Sequence, residues 1–94
     1  MNLTAEQLDQ IEEMSYRMIP CNLIAINIEV PEYDLKEEVE TVGTPARSAF
    51  YKGYLRMLVE LRDKVIGAAM NGSNPAQTEV LRWIADAGRR MRHG

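Results

Sequence analysis

A three-residue turn in the C-terminal half, Gly72-Ser73-Asn74, does most to restrict how this chain folds. Apolar residues recur every three or four positions before it, over residues 45–71, and again after it, over residues 76–91. Gly72 is typical of a position just past a helix end, and Pro75 is typical of a first helical turn. Two helices with so short a connection must fold back on each other, so the sequence predicts an antiparallel helical hairpin.

A second break, Gly43-Thr44-Pro45, separates this hairpin from the residues before it. Thr44 is suited to accept a hydrogen bond as an N-cap, and Pro45 suits the first helical position. We therefore divide the chain into an N-terminal unit, residues 1–43, and a helical hairpin, residues 44–94, which we expect to mediate oligomerisation.

The N-terminal unit opens with a helix-start signal. Thr4 and Gln7 have the spacing of a capping box, in which each side chain bonds the backbone N–H of the other. Leu3 and Leu8 occupy the two positions of a hydrophobic staple. A first helix is therefore expected from about Ala5 to near Pro20.

Residues 21–31 fit two kinds of secondary structure. Ile24, Ile26 and Ile28 alternate with other residues at strand period and are β-branched. A strand needs a partner, however, and the one other short candidate is residues 39–42, which would leave a weakly stable two-stranded hairpin. We favour a helix here and keep the strand as the alternative.

The spacing of small and aliphatic residues after Cys21 also fits a helix-turn-helix unit. Ile24-Ala25 would lie in its first helix, Ile28-Glu29-Val30 in its turn, and Leu35 and Val39 in its second helix. That second helix is acidic, and contact with DNA phosphates needs the opposite sign. Either its first turn alone approaches DNA, or the unit is structural. Its acidic residues are Glu32, Asp34, Glu37, Glu38 and Glu40.

The resulting prediction for the fold class is all-α, with a short N-terminal helix-turn-helix-like unit followed by a long antiparallel helical hairpin. At 94 residues the chain buries only about 60 to 65 % of its unfolded surface. The apolar residues of the hairpin exceed what so small a monomer can cover, which predicts a homo-oligomer. The residues expected at its interface are Phe50, Tyr54, Met57, Leu58, Leu61 and Trp83.

No catalytic, metal-binding or cofactor-binding residues are predicted. Cys21 is the single cysteine and His93 the single histidine, so an internal disulfide and a His/Cys metal cluster are both excluded. A Gly-rich phosphate loop is also missing from the sequence. The longest apolar run, residues 23–26, is far shorter than the roughly 20 residues of a membrane span. We expect a non-enzymatic protein of the cytoplasm that does not engage the membrane.

The net charge of −3 conceals two halves of opposite sign. Residues 1–43 carry ten Asp and Glu against two basic residues, a net charge of −8, whereas residues 44–94 carry nine Lys and Arg against four acids, a net charge of +5. One explanation for this difference in charge is that solvent-exposed helix faces of the two halves carry charges of opposite sign. Contact between acidic and basic surfaces of neighbouring subunits, or between the basic half and a polyanion, explains it equally well.

Candidate nucleic-acid contacts come from the ends of the two halves. An Arg-rich cluster closes the second half, and its simpler interpretation is compensation of the helix dipole at a C-terminus. The aromatic residues of the hairpin are likewise more typical of a core or an interface than of base stacking. The residues expected to touch nucleic acid are Tyr33, Lys36, Arg47, Arg89, Arg90 and Arg92.

Four segments together resemble the small terminase subunits of tailed phages and prophages, which recognise DNA for packaging. These segments are Leu3-Thr4-Ala5-Glu6-Gln7-Leu8, Ile24-Ala25, Ala49-Phe50-Tyr51-Lys52-Gly53 and Gly72-Ser73-Asn74-Pro75-Ala76-Gln77. The resemblance implies an N-terminal DNA-recognition unit, a hairpin that assembles subunits into a ring, and a C-terminal part that meets the large ATPase subunit. Double-stranded DNA and that ATPase are the implied partners, and the bacterial host cytoplasm is the implied location.

Two functions of different class follow from the sequence. The first is a packaging adaptor that binds viral DNA as an oligomer and recruits the motor. The second is a small helical protein-interaction module that does not bind nucleic acid, which the acidic N-terminal half favours. The hairpin turn and the order of the helices favour the first.

Overall fold

The computed structural model describes the backbone of residues 1–93 and the side chains of residues 1–89. This part of the chain contains no strand and forms five helices. They are α1 (Ala5–Tyr16), α2 (Cys21–Asn27), α3 (Glu32–Glu40), α4 (Pro45–Met70) and α5 (Asn74–His93). The all-α prediction is therefore confirmed.

Helix α2 decides between the two interpretations of residues 21–31. A strand would place Ile24, Ile26 and Ile28 on one face. Instead Ile24, Ala25 and Ile28 are buried together, whereas Ile26 is 70 % exposed. This is the spacing of a helix, so the strand alternative is wrong. Burial of one face against α3 stabilises a segment whose own β-branched residues do not favour a helix.

Capping side chains lie at the helix starts where the sequence predicted them. Thr4 Oγ1 accepts a hydrogen bond from the Gln7 N–H at 3.1 Å, and Gln7 Oε1 accepts one from the Thr4 N–H at 2.9 Å. At the start of α4, Thr44 Oγ1 accepts from the Arg47 N–H at 3.2 Å. Gly72, at φ 97°, lies in the left-handed region between α4 and α5, which costs glycine little.

The chain forms two compact units, the first of residues 1–58 and the second beginning at Val59. Helix α4 contributes its first part to one unit and its remainder to the other. The core of the first unit combines α1, α2, α3 and the start of α4. It consists of Ile11, Ile24, Ala25, Ile28, Leu35, Val39 and Ala46.

Gly53 sets how closely α1 and α4 approach inside the first unit. A Cβ at this position would overlap the Ser15 Oγ and the Glu12 carbonyl oxygen. Two ion pairs flank the contact, because Arg56 Nη1 lies 2.7 Å from a Glu12 carboxylate oxygen and 3.0 Å from one of Glu13. Helix α1 thus packs directly on the backbone of α4.

The second unit is the antiparallel hairpin. The Gln77 side chain, early in α5, donates a hydrogen bond to the Ala69 carbonyl, late in α4, at 3.0 Å. Further from the turn, the Arg62 guanidinium lies 4.4 Å from the centroid of the Trp83 ring. Among the described residues, no helix is both long enough and apolar enough to cross a bilayer.

Candidate functional site

Helices α2 and α3 form a helix-turn-helix arrangement. The Val30 N–H donates to the Ala25 carbonyl at 3.0 Å and closes the turn between them. Ala25 is fully buried with Leu35, and only a small side chain at this point allows the two helices to pack closely. Glu29 provides the bend with a positive φ of 60°. The Gln7 side chain, on α1, donates to the Ile28 carbonyl at 3.1 Å and ties the turn to the preceding helix.

The outer surface of α3 is exposed and mostly acidic. Tyr33 is 73 % exposed in the first turn, and Lys36 is exposed one turn further along. Leu35 and Val39 hold the opposite side of this helix in the core. The exposed acidic residues around Tyr33 and Lys36 are Glu32, Asp34, Glu37 and Glu40.

Two of the predicted DNA-contacting residues lie around Tyr51. The Arg47 guanidinium lies 4.8 Å from the centroid of the Tyr51 ring and donates to the Val39 carbonyl at 3.1 Å. Lys36 and Tyr51 line one open groove of about 360 Å³ together with Asn22. Because Glu32 and Glu40 line the same groove, its charge is mixed rather than positive.

The other basic residues at the start of α4 are engaged with α1. Lys52 Nζ lies 3.9 Å from a Glu12 carboxylate oxygen, and Arg56 binds Glu12 and Glu13 while stacking 4.6 Å from the Tyr16 ring centroid. These pairs neutralise part of the basic half within the molecule. The opposite net charge of the two halves of the sequence was the only indication of these ion pairs, and it does not show which residues pair.

The Arg-rich end is only partly described. Arg89 Nη2 lies 2.6 Å from an Asp86 carboxylate oxygen, and Arg82 Nη1 lies 2.9 Å from one of Glu79. The side chains of Arg90 and Arg92 lie outside the described residues. Both described arginines are exposed and make ion pairs within one turn of α5, which weakens their field towards a polyanion.

The residues predicted at an oligomer interface are divided between the two units. Phe50 packs against the core of the first unit, and Met57 and Leu58 are half-buried there. Tyr54, in the same unit, is exposed. In the second unit, Leu61 is exposed, whereas Trp83 is half-buried beneath the Arg62 guanidinium.

Two features of the described chain bear on catalysis and metal binding. No group of three His, Cys, Asp or Glu side chains among the described residues is placed to hold a metal ion. Cys21 is half-buried beside α3, and its burial, followed by the nearby Glu32 and Glu40 carboxylates, raises the pKa of its thiol. A raised pKa keeps the thiol protonated and makes it a poor nucleophile.

Comparison with known proteins finds no matching family model, no matching curated protein and no matching solved structure.

Proposed function

We propose that the chain is a DNA-packaging adaptor of the small-terminase type, which binds viral DNA as a homo-oligomer and recruits the large ATPase subunit in the cytoplasm of a bacterial host. The observation that carries this proposal is the helix-turn-helix arrangement of α2 and α3, built on buried Ala25 and the Glu29 turn. The hairpin that follows supports it, because the resemblance implies these two parts in this order.

The proposed DNA contacts of the first unit are Tyr33, Lys36 and Arg47. Tyr33 lies in the first turn of α3, the part of a recognition helix that reaches base edges. Lys36 lies on that helix, and Arg47 donates a hydrogen bond to its Val39 carbonyl; both residues lie close to Tyr51. The acidic residues of α3 oppose this contact, so the affinity of one subunit is expected to be weak and to rise with assembly.

The acidic outer surface of α3 supports a second candidate, a helical protein-interaction module without nucleic-acid binding. Glu37 and Glu40 are exposed there, and a basic protein surface would complement them better than DNA phosphates. The two candidates make opposite predictions for neutralising these carboxylates.

A gel-shift titration on double-stranded DNA at low and moderate salt tests the proposal. Lys36→Ala is expected to weaken binding and to reduce the salt dependence by about one phosphate contact. Lys64→Ala removes the same charge from an exposed site in the second unit and is the matched control. A wild-type chain that remains assembled and shifts no DNA at low salt contradicts the DNA-binding function.

The double variant Glu37→Gln with Glu40→Gln separates the two candidates. If α3 approaches DNA, removal of two negative charges strengthens DNA binding, because like-charge repulsion is relieved. If α3 binds a basic protein, DNA binding stays absent in both chains. Replacing Arg89, Arg90 and Arg92 together by Ala tests the C-terminal cluster, and we expect it to weaken binding for all DNA sequences alike.

A further inference from the structure

Gln7 lies in the first turn of α1 and uses both ends of its side-chain amide. Its Oε1 accepts a hydrogen bond from the Thr4 N–H at 2.9 Å and completes the capping box. Its Nε2 donates to the Ile28 carbonyl, 21 residues along the chain, at 3.1 Å. Only one orientation of the amide satisfies both partners, because the first is a donor and the second an acceptor.

The capping box alone does not explain a glutamine at this position. Glu and Gln both serve at the third helical position of a capping box, and a carboxylate is the more favourable of the two beside the helix dipole. An ionised glutamate has no hydrogen to donate, however, so it could not bond the Ile28 carbonyl. The Gln7 amide is therefore suited to a second task that a glutamate could not perform.

The carbonyl that Gln7 bonds lies at the end of α2, just before the turn. Ile28 is the C-cap of α2, and carbonyls at a helix C-terminus lack a partner within the helix. Ile28 is only 5 % exposed, so little water reaches this residue. The Gln7 side chain thus supplies the partner that burial keeps water from supplying.

Hydrogen bonds hold the peptide group between Ile28 and Glu29 on both sides. Its N–H donates to the Ile26 carbonyl at 3.2 Å, and its carbonyl oxygen accepts from Gln7. Because a peptide group is planar, these two bonds fix its orientation. The φ angle of Glu29 is the rotation of the following chain relative to this plane, and a positive φ persists only where surrounding contacts enforce it.

We infer that Gln7 is a positioning residue of the helix-turn-helix unit, because its side chain fixes the peptide group from which the chain turns into α3. The consequence for DNA rests on the proposed function, since α3 carries Tyr33 and Lys36. Both ends of the Gln7 amide are engaged by Thr4 and Ile28, so Gln7 acts on DNA binding through α3 and not by contact with DNA.

Gln7→Glu removes the donor and keeps the acceptor. The capping box remains, whereas the Ile28 carbonyl loses its partner and faces a second acceptor. Gln10→Glu is the matched control, because it makes the same change one turn further along α1. The Gln10 Oε1 accepts from the Asn27 side chain at 3.0 Å, and a carboxylate can accept the same bond. Both variants add one negative charge to the same helix.

Amide hydrogen exchange of the full chain, followed by NMR, tests the positioning role without DNA. The Val30 N–H, which closes the turn, is expected to exchange about tenfold faster in Gln7→Glu than its loss of global stability accounts for. Urea unfolding of each variant gives that loss. In Gln10→Glu, we expect a Val30 rate within about twofold of the wild-type rate.

Thr4→Ala separates positioning from a general loss of stability. It removes the acceptor that bonds the Gln7 N–H and leaves the Gln7 side chain free to bond Ile28. We expect it to speed exchange at Val30 no more than its loss of global stability explains. If Gln7→Glu does not fold, Gln7→Asn replaces it, because its amide is one methylene shorter, adds no charge and cannot reach both partners.

A gel shift with short random-sequence duplexes at low salt measures the consequence for DNA. Gln7→Glu is expected to bind about tenfold more weakly than Gln10→Glu, although both add the same charge. Equal affinities of these two variants, or a Val30 rate in Gln7→Glu that its global stability explains, overturn the inference and leave the DNA-binding function standing. A wild-type chain that shifts no DNA overturns the DNA-binding function alone, because the exchange comparison still decides whether Gln7 positions α3.

Discussion

Two residues other than glycine hold the left-handed backbone conformation in the first unit, Met18 at φ 63° and Glu29 at φ 60°. Each follows a helix C-cap, at the position where glycine ends helices at the lowest cost. An L side chain in this region costs of order 1 kcal/mol. The turn of the helix-turn-helix unit is therefore strained at a single residue.

Glu29→Gly is expected to raise the free energy of unfolding by about 0.5 to 1 kcal/mol, because glycine adopts the required φ without a Cβ penalty. Glu29→Ala is the matched control, since it removes the same charge and keeps the strain. Thermal and urea unfolding measure the difference. Equal stabilities of the two variants would show that the charge, and not the backbone, accounts for any gain.

Cys21 is expected to react slowly with iodoacetamide near pH 8. Burial and the Glu32 and Glu40 carboxylates raise the pKa of its thiol, so less thiolate is present at a given pH than in an ordinary cysteine. Glu32→Gln with Glu40→Gln removes the charge contribution and should move the pH–rate curve to lower pH. Glu37→Gln, an exposed carboxylate on the same helix, should leave the curve in place, and an equal shift there would refute the assignment.

At the scale of the helices, the sequence predicted where α1, α4 and α5 begin, because caps are local, but it placed the end of α1 near Pro20 and not at Tyr16. Thr4, Thr44 and Gly72 act through neighbours within four residues. Residues 21–27 were harder, since in so short a segment Ile24 and Ile28 satisfy both a strand and a helix period. Burial of one face and exposure of Ile26 decided the outcome, and burial depends on the other helices.

The spacing of apolar residues along the sequence did not predict which residues of different helices contact each other. The stacking of Arg62 on Trp83 and the pairing of Arg56 with Glu12 depend on the register of one helix against another. For the same reason the sequence did not predict that Phe50, which we expect at an oligomer interface, also packs against the first unit's core. Of the predicted nucleic-acid residues, Lys36 and Arg47 each lie close to Tyr51, a proximity that no motif in the sequence indicated.

Gly53→Ala is expected to lower the free energy of unfolding by about 1 to 3 kcal/mol, because its Cβ overlaps the Glu12 backbone and forces α1 away from α4. Gly67→Ala in the same helix is the control. It has open space around the added Cβ and should stabilise by about 0.5 to 1 kcal/mol through helix propensity alone. Chemical denaturation of both variants gives the comparison, and a gain for Gly53→Ala would mean that the two helices do not touch at this point.

At the scale of the whole molecule, apolar burial is uneven. Every fully buried aliphatic side chain of the described residues belongs to the first unit, and the hairpin of the second unit has none through residue 89. The net charge differs as well. Residues 1–58 carry ten acids and five basic residues, a charge of −5, whereas residues 59–94 carry four acids and six basic residues, a charge of +2.

The rate of amide hydrogen exchange should differ between the two units in the same way as their apolar burial. We expect α5 to exchange much faster than α2 and α3 in dilute solution, because local opening of α5 exposes little buried apolar surface. If the proposed homo-oligomer forms through the hairpin, protection of α5 should rise with protein concentration, since association stabilises the bound form by mass action. Protection of α2 should not change over the same range. Slow exchange of α5 that is independent of concentration would mean that the hairpin is stable in a single copy.

Because α4 contributes residues to both units, the two units become complete at different times during synthesis. The first unit needs the chain only as far as Leu58, so it can close its core while the second unit is still being translated. The remaining turns of α4 and all of α5 are synthesised after the first unit. We therefore expect folding during synthesis in two steps, with the core of the first unit formed before the hairpin of the second.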